Sequence, residues 1–429
     1  MTSTGSAPHT SDLAAALADD VLERLLRYVR VDTQSDPAYA QSPSTPGQLE
    51  LGRLLVEELR GAGLTEVAQD ANGFVFATLP GNVPGAPVVG LLAHLDTTPD
   101  ESGAGVEPLV HRGYDGGPIE LPRRATVLDP ATMPELRAKL GHDLVTTSGD
   151  TLLGADDKAG VAEVMAAVAY LAEHPDLPRA TVRVGFTPDE EIGKGAHLFD
   201  IEGFGAQCAY TLDGSEAGEF TDETFTAASA ELTIHGVEVH PGTAKDKLVN
   251  AARLAGRMLA ALPQDRLTPE TTSEREGFIH VHTVEATAGK ATIRTIVRDF
   301  DDDKLAEHVA LLRATAEKVV ASEPRARLDV KVEEQYPNMR VHLERHPDVV
   351  ALAEQAVRLE GFEPKRVPAR GGTDGSILSA RGLPTPNLFT GGNEYHSVRE
   401  WASVQDMASA AAVAVRLVGL WAERAAAPL

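Results

Sequence analysis

Apolar residues recur every three to four positions over residues 13–29 and again over 45–61, so the spacing predicts two amphipathic helices at the start of the fold. Pro46 suits the first turn of the second helix, and Gly61 and Gly63 punctuate its end. Short β-type runs follow at 73–78 and 88–93. Over 97–150 the pattern dissolves into a Gly- and Pro-rich stretch without periodicity. That is long for a connection inside a compact domain and marks a functional excursion. Residues 161–173 predict a helix that is apolar on one face, and 180–186 a buried strand. Helices alternating with buried strands predict an α/β fold with a mainly parallel sheet.

The rhythm then changes. Strands are expected at 231–235, 278–285, 291–300 and 327–333, with helices at 248–262 and 305–322. Strand-helix-strand-strand-helix-strand is the order of a ferredoxin-like α+β unit. The division expected is a flexible tail over 1–10, a discontinuous domain from 11–222 and 334–429, and an inserted unit at 223–333.

The chain has 429 residues, enough for two or three domains. With 42% hydrophobic and 24% charged residues, wholesale disorder is excluded. A net charge of -25 argues against nucleic acid or an anionic membrane as partner. No run approaches the ~18 uninterrupted apolar residues of a membrane span, and the polar start lacks the pattern of a signal peptide. A cytoplasmic location is expected. One cysteine, Cys208, excludes an internal disulfide and any cysteine-based zinc site, and it falls in an apolar run that reads as a buried strand.

Candidate chemistry lies in five short clusters outside the inserted unit. They are His94-Leu95-Asp96, Gly154-Ala155-Asp156-Asp157-Lys158, Asp189-Glu190-Glu191-Ile192-Gly193, Leu212-Asp213-Gly214 and Glu394-Tyr395-His396-Ser397. Taken singly, each also fits a helix cap or a solvated turn. His94 and Asp96, two apart at a strand end, face the same side, so one can bind a metal while the other orients it. Either Asp156 or Asp157 could cap a helix, and a carboxylate there could instead bridge two cations. Glu190 and Glu191 are adjacent and must point different ways, which suits one ligand and one general base. Oxygen and imidazole donors without thiolates suit Zn²⁺, Co²⁺ or Mn²⁺.

Longer strings carry a resemblance. Ala93-His94-Leu95-Asp96-Thr97-Thr98-Pro99-Asp100, Leu152-Leu153-Gly154-Ala155-Asp156-Asp157-Lys158-Ala159-Gly160, Thr187-Pro188-Asp189-Glu190-Glu191-Ile192-Gly193 and Arg370-Gly371-Gly372-Thr373-Asp374-Gly375 are similar to motifs of one superfamily. So are Val239-His240-Pro241-Gly242-Thr243-Ala244-Lys245, Ile296-Val297-Arg298-Asp299-Phe300-Asp301 and Asn387-Leu388-Phe389-Thr390-Gly391-Gly392. The chain resembles the co-catalytic zinc aminopeptidases related to carboxypeptidase G and succinyl-diaminopimelate desuccinylase, in particular their tripeptide-cleaving branch.

The resemblance implies a zinc-exopeptidase-like catalytic domain with a ferredoxin-like lid, and two Zn²⁺ per subunit. It implies that Asp156 bridges the metals, that His94 and Asp213 complete one site, and that Glu191 and His396 complete the other. Asp96 would hold His94, Glu190 would act as general base, and a cis peptide would join Asp156 to Asp157. In the lid, His240 would stabilise the oxyanion, while Arg370 would clamp the terminal carboxylate of a small peptide substrate. Arg298 would assist or form a surface ion pair, and Asn250 would touch substrate or cap a helix. A homodimer through the lid is compatible with all this. Dipeptidases and acyl-amino-acid amidohydrolases on the same scaffold share the ligands and remain alternatives.

Overall fold

The computed structural model describes residues 8–426. Residues 1–7 of the expected tail lie outside them, and Thr10, also expected in it, is anchored to the fold. The Thr10 hydroxyl donates to Glu360 Oε1 at 2.6 Å and lies 2.8 Å from that of Ser409.

The described chain forms two compact units. One contains the described residues up to Asp222, Val341–Val367 and everything from Thr373 onward. Its eight-stranded sheet runs Thr65–Gln69, Val75–Leu79, Thr181–Thr187, Val88–His94, Cys208–Leu212, Asn387–Leu388, Glu219–Thr221, Lys365–Arg366. The central four of these, from Thr181–Thr187 to Asn387–Leu388, pair in parallel. Parallel strands deliver their carboxyl ends to one edge, where ligands gather in α/β sheets. His94 ends one strand, Asp213 follows another, and Glu190 and Glu191 follow a third.

Five long helices cover this sheet and one another: Asp12–Tyr28, Pro46–Gly61, Ala155–Glu173, Pro347–Leu359 and Val404–Ala426. The first is capped by Ser11, whose hydroxyl accepts from the Ala14 amide. The third begins six residues before the expected 161 and is buried on nearly every side, not on one apolar face. It is enclosed by the Val88–His94 strand and by the first and last helices. The Val404–Ala426 helix is long and apolar enough to span a membrane, yet 89% of its apolar window is buried within the protein. It is a core helix. Cys208 is likewise buried, on a central strand.

The 97–150 stretch has structure that its sequence pattern hides. Leu109–His111 and Leu144–Thr146 join Trp401–Ser403 and Gly392–Asn393 in a four-stranded sheet. Ile119–Glu120 and Val127–Leu128 form a hairpin. Strands of two or three residues are too short to show a period of two. Their cohesion comes from a cluster of Tyr114, Ile119, Leu121, Leu128, Met133, Leu136 and Leu144 around Trp401.

The second unit is Glu223–Arg340 with Pro368–Gly372. Its antiparallel sheet runs Phe278–Ala286, Lys290–Asp299, Thr226–His235, Arg327–Tyr336, with helices Ala251–Ala261 and Asp302–Val320 sharing its core. The boundaries differ from the expected 223–333. The last strand runs on to Tyr336, and residues 368–372, expected in the catalytic domain, belong here. Ala369 bridges to Thr224, and Gly372 packs so closely on the Tyr336 ring that a Cβ there would lie 2.4 Å from it.

Candidate metal centre

The His94 imidazole, 2% exposed, is gripped on both nitrogens. Nδ1 lies 3.0 Å from the Asp96 main-chain oxygen, which can only accept, so Nδ1 carries a proton. Against burial, which lowers it, hydrogen bonds to Asp156, Asp213 and Asp96 hold the imidazole pKa well above its usual value. Nε2 therefore also donates here, and would turn a lone pair inward only once a cation displaced its proton. Nε2 is 2.9 Å from Asp156 Oδ1 and 3.5 Å from Asp213 Oδ1. The Asp96 carboxylate lies farther from the ring, at 3.4 Å. Besides facing His94, that carboxylate accepts the amides of Glu190 at 2.9 Å and Glu191 at 3.2 Å. One aspartate thus holds the histidine with its backbone and the paired glutamates with its side chain.

The adjacent acids at the helix start divide two roles between them. Asp157 accepts the Gly160 amide in the manner of a cap and also the His94 amide. Asp156 instead faces the cluster, and the peptide between them is cis. Gly160 lets this helix start meet the end of the Asp213 strand, since a Cβ there would lie 1.9 Å from the Leu212 carbonyl oxygen. On the other side of Asp156, His396 Nε2 lies 3.4 Å from Asp156 Oδ2 and 3.0 Å from Glu191 Oε2. Asp189, Glu394 and His396 adopt positive φ, a conformation that costs about 1–3 kcal/mol outside glycine and collects at functional sites.

The result is two donor sets that share one carboxylate. Donor atoms of His94, Asp156 and Asp213 lie within 4.8 Å of one another, as do those of Asp156, Glu191 and His396.

The model of peptidase family M20/M25/M40 matches residues 152–419. A peptidase T of Shouchella clausii strain KSM-K16 is 47% identical over 410 residues, 95% of this chain and 100% of that protein. The chain belongs to the peptidase T branch of this family. Among solved structures, an aminopeptidase PepT from Bacillus cereus superposes with a TM-score of 0.73 at 24% identity, covering 94% of this chain and 99% of that one. A dinuclear metal binding M20 peptidase from Bacillus subtilis gives 0.64 at 15%, covering 95% and 99%. Both likenesses concern the fold.

As a member of the M20/M25/M40 family, the protein is a peptide hydrolase, and the electrostatics of the cluster fit divalent cations. Burial pushes the Glu190 carboxyl well above its usual range, as do Asp213, Asp374 and Glu191, against the pull of His94. Burial and Asp156 push Glu191 up to about 7. Burial raises Asp213 as well. Asp156 alone is held low: burial opposes ionisation, but hydrogen bonds from His396 and His94 prevail. His396 is raised to about 11 by its hydrogen bonds to Asp156 and Glu191. So many desolvated carboxyls around two imidazoles call for more positive charge, and Glu191 Oε1 is buried without a hydrogen-bond partner. Oxygen and imidazole donors of this kind suit Zn²⁺, Co²⁺ or Mn²⁺.

Three residues at this centre had no assigned role in the sequence reading. Asp189 accepts from Ser42, Ser44 and Gln48 and so ties the Glu190–Glu191 turn to the loop before the second helix. Asp374 is bonded to Thr187 and raised to about 7 by burial. Glu400 accepts three backbone amides. None has a pattern of its own, although Asp189 sits within a cluster and Glu400 four residues beyond His396.

The four residues expected at the substrate all lie in the second unit. His240 is exposed on a turn, its Nδ1 accepting the Gly242 amide at 3.1 Å. Asn250 caps the Ala251–Ala261 helix by accepting from Arg253 at 3.0 Å. Arg298 is 8% exposed, donates to the carbonyls of Ala228 and Val297, and stacks 5.4 Å from the Tyr336 ring centre. That corrects the surface ion pair offered as one alternative, because a buried strand position leaves it no solvent side. Arg370, expected to clamp the substrate's terminal carboxylate, is engaged within the chain. Its terminal nitrogens donate to the carbonyls of Glu274, Glu276 and Thr272 and to the Thr272 hydroxyl, over the rings of Phe225 and Phe278.

Proposed function

We propose that the protein is a metal-dependent aminopeptidase that releases the N-terminal residue of tripeptides, with two Zn²⁺ per chain that Co²⁺ or Mn²⁺ can replace. The observation that carries this reading is the pair of donor sets meeting at Asp156. The peptidase T relatives support the substrate class. His94, Asp156 and Asp213 would hold one cation, and Asp156, Glu191 and His396 the other. Bound there, the cations would polarise the scissile carbonyl and acidify the attacking water.

The chain's own groups do the rest. Glu190 takes the proton of the attacking water and returns it to the leaving amine, a task suited to a carboxyl whose burial raises its basicity. Asp96, by accepting the amides of both glutamates, keeps base and ligand in fixed relation. His94 and Asp96 are buried, Asp156, Asp213, Glu190 and Glu191 half-buried and His396 exposed, so charge interactions are strengthened most on the His94 side. His240, exposed in the second unit, is assigned to the substrate, whereas Asn250, Arg298 and Arg370 are assigned to holding that unit together. A cytoplasmic location belongs to the same proposal.

Metal analysis combined with hydrolysis of unblocked tripeptides, before and after chelation, tests it. The expected outcome is two zinc ions per chain, activity that disappears with them, and no cleavage of N-blocked tripeptides. Activity surviving complete metal removal would overturn the reading, as would turnover of acyl-amino acids alone.

A further inference from the structure

We infer that Glu400 is a positioning residue that sets the place of Asp156 between the two donor sets. The inference rests on the dinuclear reading above.

Glu400 is 1% exposed and follows His396 by four residues. Its Oε2 accepts the amides of Leu153 and Gly154, both at 2.7 Å, and its Oε1 accepts that of Asp156 at 3.0 Å. These amides line the turn that enters the Ala155–Glu173 helix. Gly154, at φ +82°, supplies the left-handed residue by which their N–H groups converge. Amides at a helix start favour an anion, and charge-assisted hydrogen bonds to a carboxylate are short and directional. Lys158, buried with its ammonium on the Val31 carbonyl, supplies a counter-charge nearby.

The consequence follows from chain connectivity. Asp156 and His396 lie 240 residues apart in sequence and come from separate loops. Glu400 is part of the His396 loop and grips the Asp156 loop by its backbone, including the Asp156 amide itself. The separation of the two donors is therefore set by one carboxylate that is not within the donor sets. Neighbouring contacts are consistent with this arrangement. The Tyr395 hydroxyl donates to the Gly214 carbonyl at 2.7 Å, tying the same loop to the turn after Asp213.

Glu400→Gln is the incisive variant. Both carboxylate oxygens accept from N–H groups, so an amide must face its own NH₂ towards at least one donor whichever way it turns. Tyr210→Phe serves as the comparison, because that hydroxyl bonds Val349 and Trp421 in the core and touches none of the ligand loops. Zn²⁺ is titrated calorimetrically into the chelator-stripped full chain of each variant, and melting temperatures are recorded alongside. In Glu400→Gln the zinc dissociation constants should rise roughly 10–100-fold, as for other groups that orient ligands. Hydrogen exchange at residues 153–156 should quicken, and Tyr210→Phe should bind zinc as the wild type does. Wild-type zinc affinity in Glu400→Gln would overturn the inference, and so would equal weakening in Tyr210→Phe. If Glu400→Gln does not fold, Glu400→Asp carries the same comparison. A wild-type protein that binds no zinc would instead sink the dinuclear reading itself.

Discussion

The metal centre and the second unit handle partly buried charge in opposite ways. In the second unit Arg370 turns its terminal nitrogens to carbonyls at 272, 274 and 276 over two aromatic faces, and Arg298 turns Nη1 to two carbonyls beside Tyr336. At the centre, Glu190, Glu191 and Asp213 are half-buried and pushed towards protonation by desolvation, and one oxygen of Glu191 has no hydrogen-bond partner. A charge already turned to the chain's own carbonyls is scaffold. Unspent capacity, concentrated in one place, points to a ligand.

The sharpest way to break this contrast is to remove the cations. Chelation should abolish peptide hydrolysis, and Zn²⁺, Co²⁺ or Mn²⁺ should restore it, as followed by release of free amino acid; a chelated protein that still turns over would erase the distinction. Next in size, Glu190→Gln should cost about 10²–10⁴-fold in kcat. Calorimetry should still find two zinc ions bound to this variant, and wild-type turnover would remove Glu190 from the role of base.

Smaller effects are expected where charge is already satisfied. Arg370→Lys loses the planar fork that reaches several carbonyls and should lower stability by roughly 2 kcal/mol in urea unfolding. Its KM should hold. A tenfold rise in KM at unchanged stability would move Arg370 from scaffold to substrate. Smallest, Asn250→Ala should cost about 1 kcal/mol through the lost cap and leave kcat/KM alone. A kinetic defect without that loss would assign Asn250 to the substrate.

Much of the fold was legible because its long elements carry long patterns. The central strands and the two opening helices lie within a residue or two of their expected bounds. In the second unit the element order is as expected, with Phe278–Ala286 and Lys290–Asp299 that close and the other elements three to five residues off at one end. The 97–150 region was not, because its strands are shorter than one period and its core depends on Trp401, far along the chain. The start of the Ala155–Glu173 helix was missed because Asp156 and Asp157 leave helical geometry and its buried flanks blur the amphipathic signal. At the site, residue types and strand ends pointed to the five donors, which converge. Which of two adjacent aspartates faces the cluster came only from the family resemblance. Roles that depend on backbone partners stayed hidden, as with Glu400 on three amides and Arg370 on three carbonyls. A sequence names side chains, and such partners exist only once distant loops meet.

Cys208 offers a handle of another kind. It is the only cysteine, lies on a central parallel strand, and burial pushes its thiol up to about 12, against a small opposing effect of Tyr210. A thiol reagent can reach it only when that strand leaves the sheet. The rate of labelling therefore serves as a clock for opening of the unit that carries the metal centre. Any cation or peptide that binds only the closed form should slow that clock in proportion to its occupancy.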